Sequence, residues 1–103
     1  MTGAARGMGR AMSIALAAAG AKVAMIDIDE DVLEEAAQRA EDAGGQGSIT
    51  AITCDVTDPD KVRIAAEKIL TSFGSIDVLV NDAVIGPERI PTFMLKKATF
   101  WEL

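Results

Sequence analysis

The sequence holds no histidine and no tyrosine among its 103 residues, so two of the commonest general acid and base side chains are absent. Proton transfer within these residues would fall to carboxylates, lysines or a single thiol. That thiol, Cys54, has no partner for an internal disulfide, and without histidine or a second cysteine there is no ligand set for structural zinc. A lone cysteine fits a reducing compartment, and the expected location is the cytoplasm. Aromatic residues make up 4% of the chain, and Phe73, Phe93, Phe100 and Trp101 are too scattered to build a stacking platform for bases. Positive charge is in deficit too, with ten Lys and Arg against sixteen Asp and Glu and a formal net charge of −6. A surface of that sign repels polyanions, which argues against nucleic acid as a partner. Apolar stretches fall far short of the ~18 residues of a membrane span, and no basic, apolar, small-residue leader pattern opens the chain. No membrane partner is expected.

What the chain does have is 50% apolar residues and a mean hydropathy of +0.23, enough for one core in one small domain. Glycines at 3, 7 and 9 precede an alanine-rich run over residues 10–19, which favours helix and stops at Gly20. Residues 21–27 form a short apolar run of strand length, as expected of a strand covered on both faces. Asp29, Glu30 and Asp31 then put acids where they meet the positive end of a helix dipole. In that helix Val32, Leu33, Ala36, Ala37 and Ala40 make one apolar stripe, and Gly44, Gly45 and Gly47 end it.

Residues 49–54 alternate and are β-branched, which predicts a second strand leading into Asp55 and Val56. Asp58 and Pro59 start the best-signalled helix, whose face of Val62, Ala65, Ala66, Ile69 and Phe73 runs to Gly74. Residues 76–80 read as a third strand ending at Asn81 and Asp82. Beyond it, residues 84–99 read as a loop punctuated by Pro87 and Pro91, and residues 99–103 as the opening of another helix. Helices alternating with strands predict an α/β fold with a parallel sheet covered by helices.

The glycines at 3, 7 and 9 let backbone amides approach a pyrophosphate just where a helix N-terminus favours negative charge. The pattern is not G-x-G-x-x-G, because Met12 stands at the third glycine position counted from Gly7, and no Gly-Lys-Ser/Thr makes it a P-loop. Asp27 ends the first readable strand 18 positions after Gly9. That is close to the interval of about 20 at which a carboxylate meets the adenosine ribose hydroxyls, where it accepts from the 2′-OH of NAD and repels the 2′-phosphate of NADP. Each feature has a plainer alternative, an ordinary glycine turn and a helix-capping Asp. Asp55 also stands at the carboxyl end of a parallel strand, the edge where such sheets bind ligands.

With Thr2-Gly3-x-x-x-Gly7-x-Gly9, Asp27, Cys54-Asp55-Val56 and Leu79-Val80-Asn81-Asp82-Ala83, essentially the whole chain resembles the short-chain dehydrogenases/reductases. The resemblance implies a Rossmann-like, doubly wound parallel sheet and a nicotinamide-dependent oxidoreductase. It implies cofactor contacts at Gly3, Arg6, Gly7, Met8, Gly9, Asp27, Ile28, Asp55, Val56, Asn81 and Ala83. NAD is the expected cofactor and NADP the lesser candidate, although a basic residue such as Arg6 faces the 2′-phosphate of NADP in some relatives. The implied partner is an alcohol or carbonyl substrate, in a homo-oligomeric parent.

Three departures from the family pattern stand out. Asn-Asn-Ala-Gly becomes Asn81-Asp82-Ala83-Val84, and a β-branched valine in place of glycine is expected to crowd the cofactor or disfavour the turn. Only Met1 precedes Thr2, so the strand that feeds the glycine loop is expected to be missing, leaving two apolar edges with unpaired backbone groups. The family's Ser and Tyr-x-x-x-Lys do not occur in these residues, and Trp101 resembles the tryptophan that begins the helix of the family's catalytic asparagine. No catalytic residue and no metal ligand is therefore nominated. Lys96 and Lys97 read as solvated surface and Cys54 as a small core hydrophobe. The whole of 1–103 reads as a partial NAD(P)-binding Rossmann domain, inactive alone. The alternatives are a non-catalytic nucleotide-binding or subunit-interaction module, and an extended reductase or epimerase, against which the glycine spacing speaks.

Overall fold

The computed structural model describes residues 1–84; the expected loop over residues 84–99 apart from Val84, the helix opening at 99–103, and Phe93, Lys96, Lys97, Phe100 and Trp101 lie outside them. The elements in chain order are α1 (Gly7–Ala18), β1 (Val23–Asp27), α2 (Glu30–Gly44), β2 (Ile49–Thr53) and α3 (Pro59–Phe73). β1 and β2 pair in parallel with Val23 opposite Ile49 and Asp27 opposite Thr53. A parallel pair needs a crossover, and α2 supplies it.

The alternation of β1 explains why the sheet is covered on both sides. Val23 and Met25 are buried with Ala17 of α1 and Leu33, Ala36 and Ala40 of α2. Ala24 and Ile26 are buried with Ile52, Cys54 and Ala65 and Ile69 of α3. α1 and α2 approach closely because their contact residues are small: a Cβ on Gly44 would lie 2.8 Å from the Ala17 Cβ. α3 keeps the limits its signals set, with Asp58 accepting from the Asp60 and Lys61 amides, Pro59 in the first turn and Gly74 left-handed at φ +81°.

Residues 76–80 differ from expectation. They form no strand, and Val78 and Leu79 are 77% and 65% exposed. A β-branched run becomes a strand only through a neighbour's ladder, and among the described residues the backbone contact to this segment is the bond from Thr2 N to Val80 O. Met1 and Thr2 occupy the slot between β1 and this segment. The Met1 nitrogen donates to Ala24 O at 3.0 Å, Ile26 N to Met1 O at 2.9 Å, and Thr2 N to Val80 O at 3.1 Å. Thr2 and Ile26 form an isolated parallel bridge. The lateral order is thus β2, β1, residues 1–2, then the segment at Val80, the order of the first half of a Rossmann sheet.

Candidate dinucleotide site

The loop from Thr2 into α1 is held from two sides. On one, the Thr2 hydroxyl accepts from the amides of Asp82 at 3.1 Å and Ala83 at 3.0 Å, which draws the segment after residue 80 onto the loop. Gly3 permits that contact: it has φ +64°, and a Cβ on it would lie 2.9 Å from both the Cα and the nitrogen of Ala83. A Cβ on Gly9 would overlap the Gly3 carbonyl oxygen and come within 2.8 Å of an Asp82 carboxylate oxygen. Glycine at both positions is therefore a packing requirement.

On the other side lies the end of β1. Asp27 Oδ2 accepts from Ala5 N at 3.1 Å, and Asp27 Oδ1 accepts from Asp29 N at 3.1 Å. One carboxylate thus ties the glycine loop to the start of α2. The residue that caps α2 is Asp29, which accepts from Val32 N. Asp29 also takes the Arg6 guanidinium at 2.7 Å. The hydrogen bond from Arg6, then the one from Val32, holds the Asp29 carboxyl below the usual carboxylate range.

Between these two supports the N-terminus of α1 is open. Its N-cap position is Arg6, in extended conformation and making no side-chain cap, and no acid occupies its first turn. The amides of Gly7, Met8 and Gly9 have no partner within the helix, as for any first turn, and the helix dipole adds partial positive charge there. Gly7, at φ +56° with nothing within 4 Å of where its Cβ would stand, leaves the approach clear.

At the end of β2, the Cys54 amide donates to Asp27 O at 2.9 Å, setting Asp55 beside the end of β1. Asp55 Oδ1 accepts from Thr57 N at 2.9 Å and Thr57 Oγ1 at 2.6 Å, and these bonds hold its carboxyl below the usual range. The Cys54 thiol is buried, and desolvation, followed by the Asp55 charge, pushes its pKa up. That suits a protonated core group and not a nucleophile. Met8, Ile28 and Val56 are exposed apolar side chains, at 72%, 67% and 42%.

The hydrogen bonds and close approaches therefore gather Gly3, Ala83, Gly9, Arg6 and Asp27 around the α1 N-terminus, with Asn81 in the same segment as Ala83. Among the described residues no hydrogen bond links Asp55 to the glycine loop. Val84 is exposed and has no positive φ, so its own backbone shows no strain. Three contributors escape the sequence reading: the anchoring hydroxyl of Thr2, the Asp29 partner of Arg6, and the Asp82 carboxylate beside Gly9. Thr2 carries a signal in retrospect, a hydroxyl on the apolar approach to a glycine turn. Arg6 and Asp29 are 23 residues apart and carry none. Among the described residues no cluster of three metal-ligating side chains occurs, and no helix is long and apolar enough to cross a membrane. A shallow groove lined by Glu34, Ala37, Gln38, Glu41, Ile49 and Ala51 shares no residue with the glycine loop.

Residues 1–102 match the family model described as short chain dehydrogenase. The chain belongs to the short-chain dehydrogenase family. It is 44% identical over 92 residues to 1-deoxy-11-beta-hydroxypentalenate dehydrogenase of Streptomyces exfoliatus, covering 88% of this chain and 33% of that protein. Among solved structures it resembles the 3-ketoacyl-(acyl-carrier-protein) reductase of Brucella melitensis complexed with NADH, with a TM-score of 0.81 and 32% identity over 96% of this chain and 39% of that one. It equally resembles a metagenomic short-chain oxidoreductase in complex with NADP, with a TM-score of 0.81 and 33% identity over 98% of this chain and 44% of that one. The fold is accordingly the Rossmann-like α/β fold of this oxidoreductase family. The chain spans between about a quarter and a half of the length of the curated relatives it matches.

Proposed function

We propose that residues 1–103 are a partial Rossmann domain that binds the adenosine diphosphate half of NAD, in an oxidoreductase exchanging hydride with an alcohol or carbonyl carbon. The observation that carries this reading is the uncapped N-terminus of α1, set beside the Asp27 carboxylate by the Ala5 amide. The amides of Gly7, Met8 and Gly9 would take the diphosphate, and Asp27 the ribose hydroxyls. Ile28 and Val56, exposed where β1 and β2 end, would flank the adenine, with Asp55 beside it. Asn81 and Ala83, drawn in by Thr2, would line the side toward the nicotinamide. The nicotinamide supplies hydride transfer when bound, and this part of the protein supplies position and charge.

The residues fit the cofactor in donor type: backbone amides for phosphate and a carboxylate acceptor for hydroxyl groups. Both NADH and NADP occur in similar structures, and two acids against one arginine at the ribose end support NAD for this chain. With no tyrosine and no histidine, the 103 residues alone are expected to turn over no alcohol. Calorimetric titration with NAD tests the binding: affinity in the micromolar range that falls at least tenfold in Asp27→Ala supports it. A folded chain whose NAD affinity ignores that substitution would contradict it.

A further inference from the structure

We infer that Asp29, by holding Arg6, adds a second barrier against NADP to the repulsion from Asp27. The inference rests on the dinucleotide reading above and goes one step past it, to which dinucleotide is refused and why. Asp27 is flanked by two neighbours that meet across it. Arg6 follows Ala5, whose amide donates to Asp27 Oδ2, and Asp29 donates its own amide to Asp27 Oδ1. The Arg6 guanidinium and the Asp29 carboxylate then close at 2.7 Å. A guanidinium one residue from the amide that binds the Asp27 carboxylate, the group that would take the ribose, is placed to pair with a 2′-phosphate, for which its fork is suited.

Asp29 removes that option in two ways. It occupies the fork, and it turns a locally neutral Arg6 and Asp27 pair into a cluster of net charge −1, toward which a phosphate monoester carries roughly −1.5 to −2 at neutral pH. An exposed ion pair between two free side chains would yield easily to an incoming phosphate. This one has a fixed acceptor, because the same carboxylate caps α2 through Val32 N and its own amide is bonded to Asp27. Arg6 is the mobile partner, with 63% of its side chain exposed against 36% for Asp29. Asp29 is thus a positioning residue, and the group it positions is the Arg6 guanidinium.

The substitution that separates charge from structure is Asp29→Asn, since asparagine caps a helix about as well as aspartate. The 103-residue chain, its D29N variant and an R6Q/D29N double variant are titrated calorimetrically with NAD and with NADP, folding being checked by circular dichroism. The expected result is a shift of the NADP to NAD affinity ratio toward NADP by about tenfold in D29N, the scale of one additional charge-assisted hydrogen bond to the 2′-phosphate. The double variant should return the ratio close to its starting value. A loss of cap or fold would weaken both ligands together and leave the ratio where it was. An unchanged ratio with NAD binding retained overturns the role of Asp29 and leaves the dinucleotide site standing. A ratio still shifted in the double variant overturns the route through Arg6. Failure of the folded starting chain to bind either dinucleotide overturns both this inference and the reading beneath it.

Discussion

The Thr2 hydroxyl satisfies two backbone amides 80 and 81 positions away, at a residue that is itself 8% exposed. Valine has nearly the same shape and no acceptor, so Thr2→Val leaves the Asp82 and Ala83 amides unpaired in a partly dry site. Asp82 is half-buried and Ala83 exposed, so each lost hydrogen bond costs about 0.5–1.5 kcal/mol, and urea denaturation should show a loss on that scale. Hydrogen exchange at Asp82 and Ala83 should quicken before exchange in α2 does; equal acceleration throughout would mean that the hydroxyl does not hold the segment. Asp29 gives a second prediction, on pH. Its folded pKa lies below its unfolded value, so its stabilising contribution is complete above about pH 4 and is lost as the pH falls through the folded value. The melting temperature of the starting chain should therefore fall more steeply below about pH 4 than that of D29N, and parallel acid limbs would show that the bond to Arg6 carries no linkage. At this scale the glycines and Asp27 are legible in the sequence, because each acts through a property of its own, a missing Cβ or a carboxylate at a strand end. Asp29 is legible only as an acid near a helix start. Its pairing with Arg6 exists because the fold brings the loop and the α2 start together.

Among the elements, α3 shows what local chemistry can specify. Asp58, Pro59 and Gly74 act within one turn of the helix they bound, and the observed Pro59–Phe73 agrees with them. β1 and β2 follow the apolar and β-branched runs, although β1 begins at Val23 and β2 ends at Thr53, inside the expected 21–27 and 49–54. α1 begins at Gly7, three residues before the alanine-rich run; Gly7 and Gly9 are poor helix formers, so propensity does not mark the open first turn they build. Residues 76–80 have strand composition without strand structure, and no inspection of that segment alone reveals it, since a ladder needs a partner of matching length. Packing between elements is equally non-local. Gly44 ends α2 against Ala17 of α1, and a Cβ there would lie 2.7 Å from the Ser48 hydroxyl and 2.8 Å from the Ala17 carbonyl oxygen. Gly44→Ala should destabilise the chain by about 1–3 kcal/mol through overpacking, read as a lower urea midpoint. A stabilised variant, as expected for alanine in an unhindered helix, would show that α1 and α2 do not meet so closely.

For the molecule as a whole, helices on both faces of β1 leave the carboxyl ends of the strands as the edge where loops converge. The glycine loop, Asp27, Asp55 and residues 81–83 all belong to that edge, which is the usual place for ligands in an open parallel sheet. The shallow groove between α2 and β2 offers a competing location and shares none of these residues. Amide chemical shifts of the 15N-labelled chain, followed through a titration with NAD, distinguish the two most directly. The largest changes should fall at Ala5, Gly7, Met8, Gly9 and Ile28, with saturation at a common affinity. Changes confined to Glu34, Ala37, Gln38 and Glu41, or none at all in a folded chain, would contradict the dinucleotide site at the start of α1.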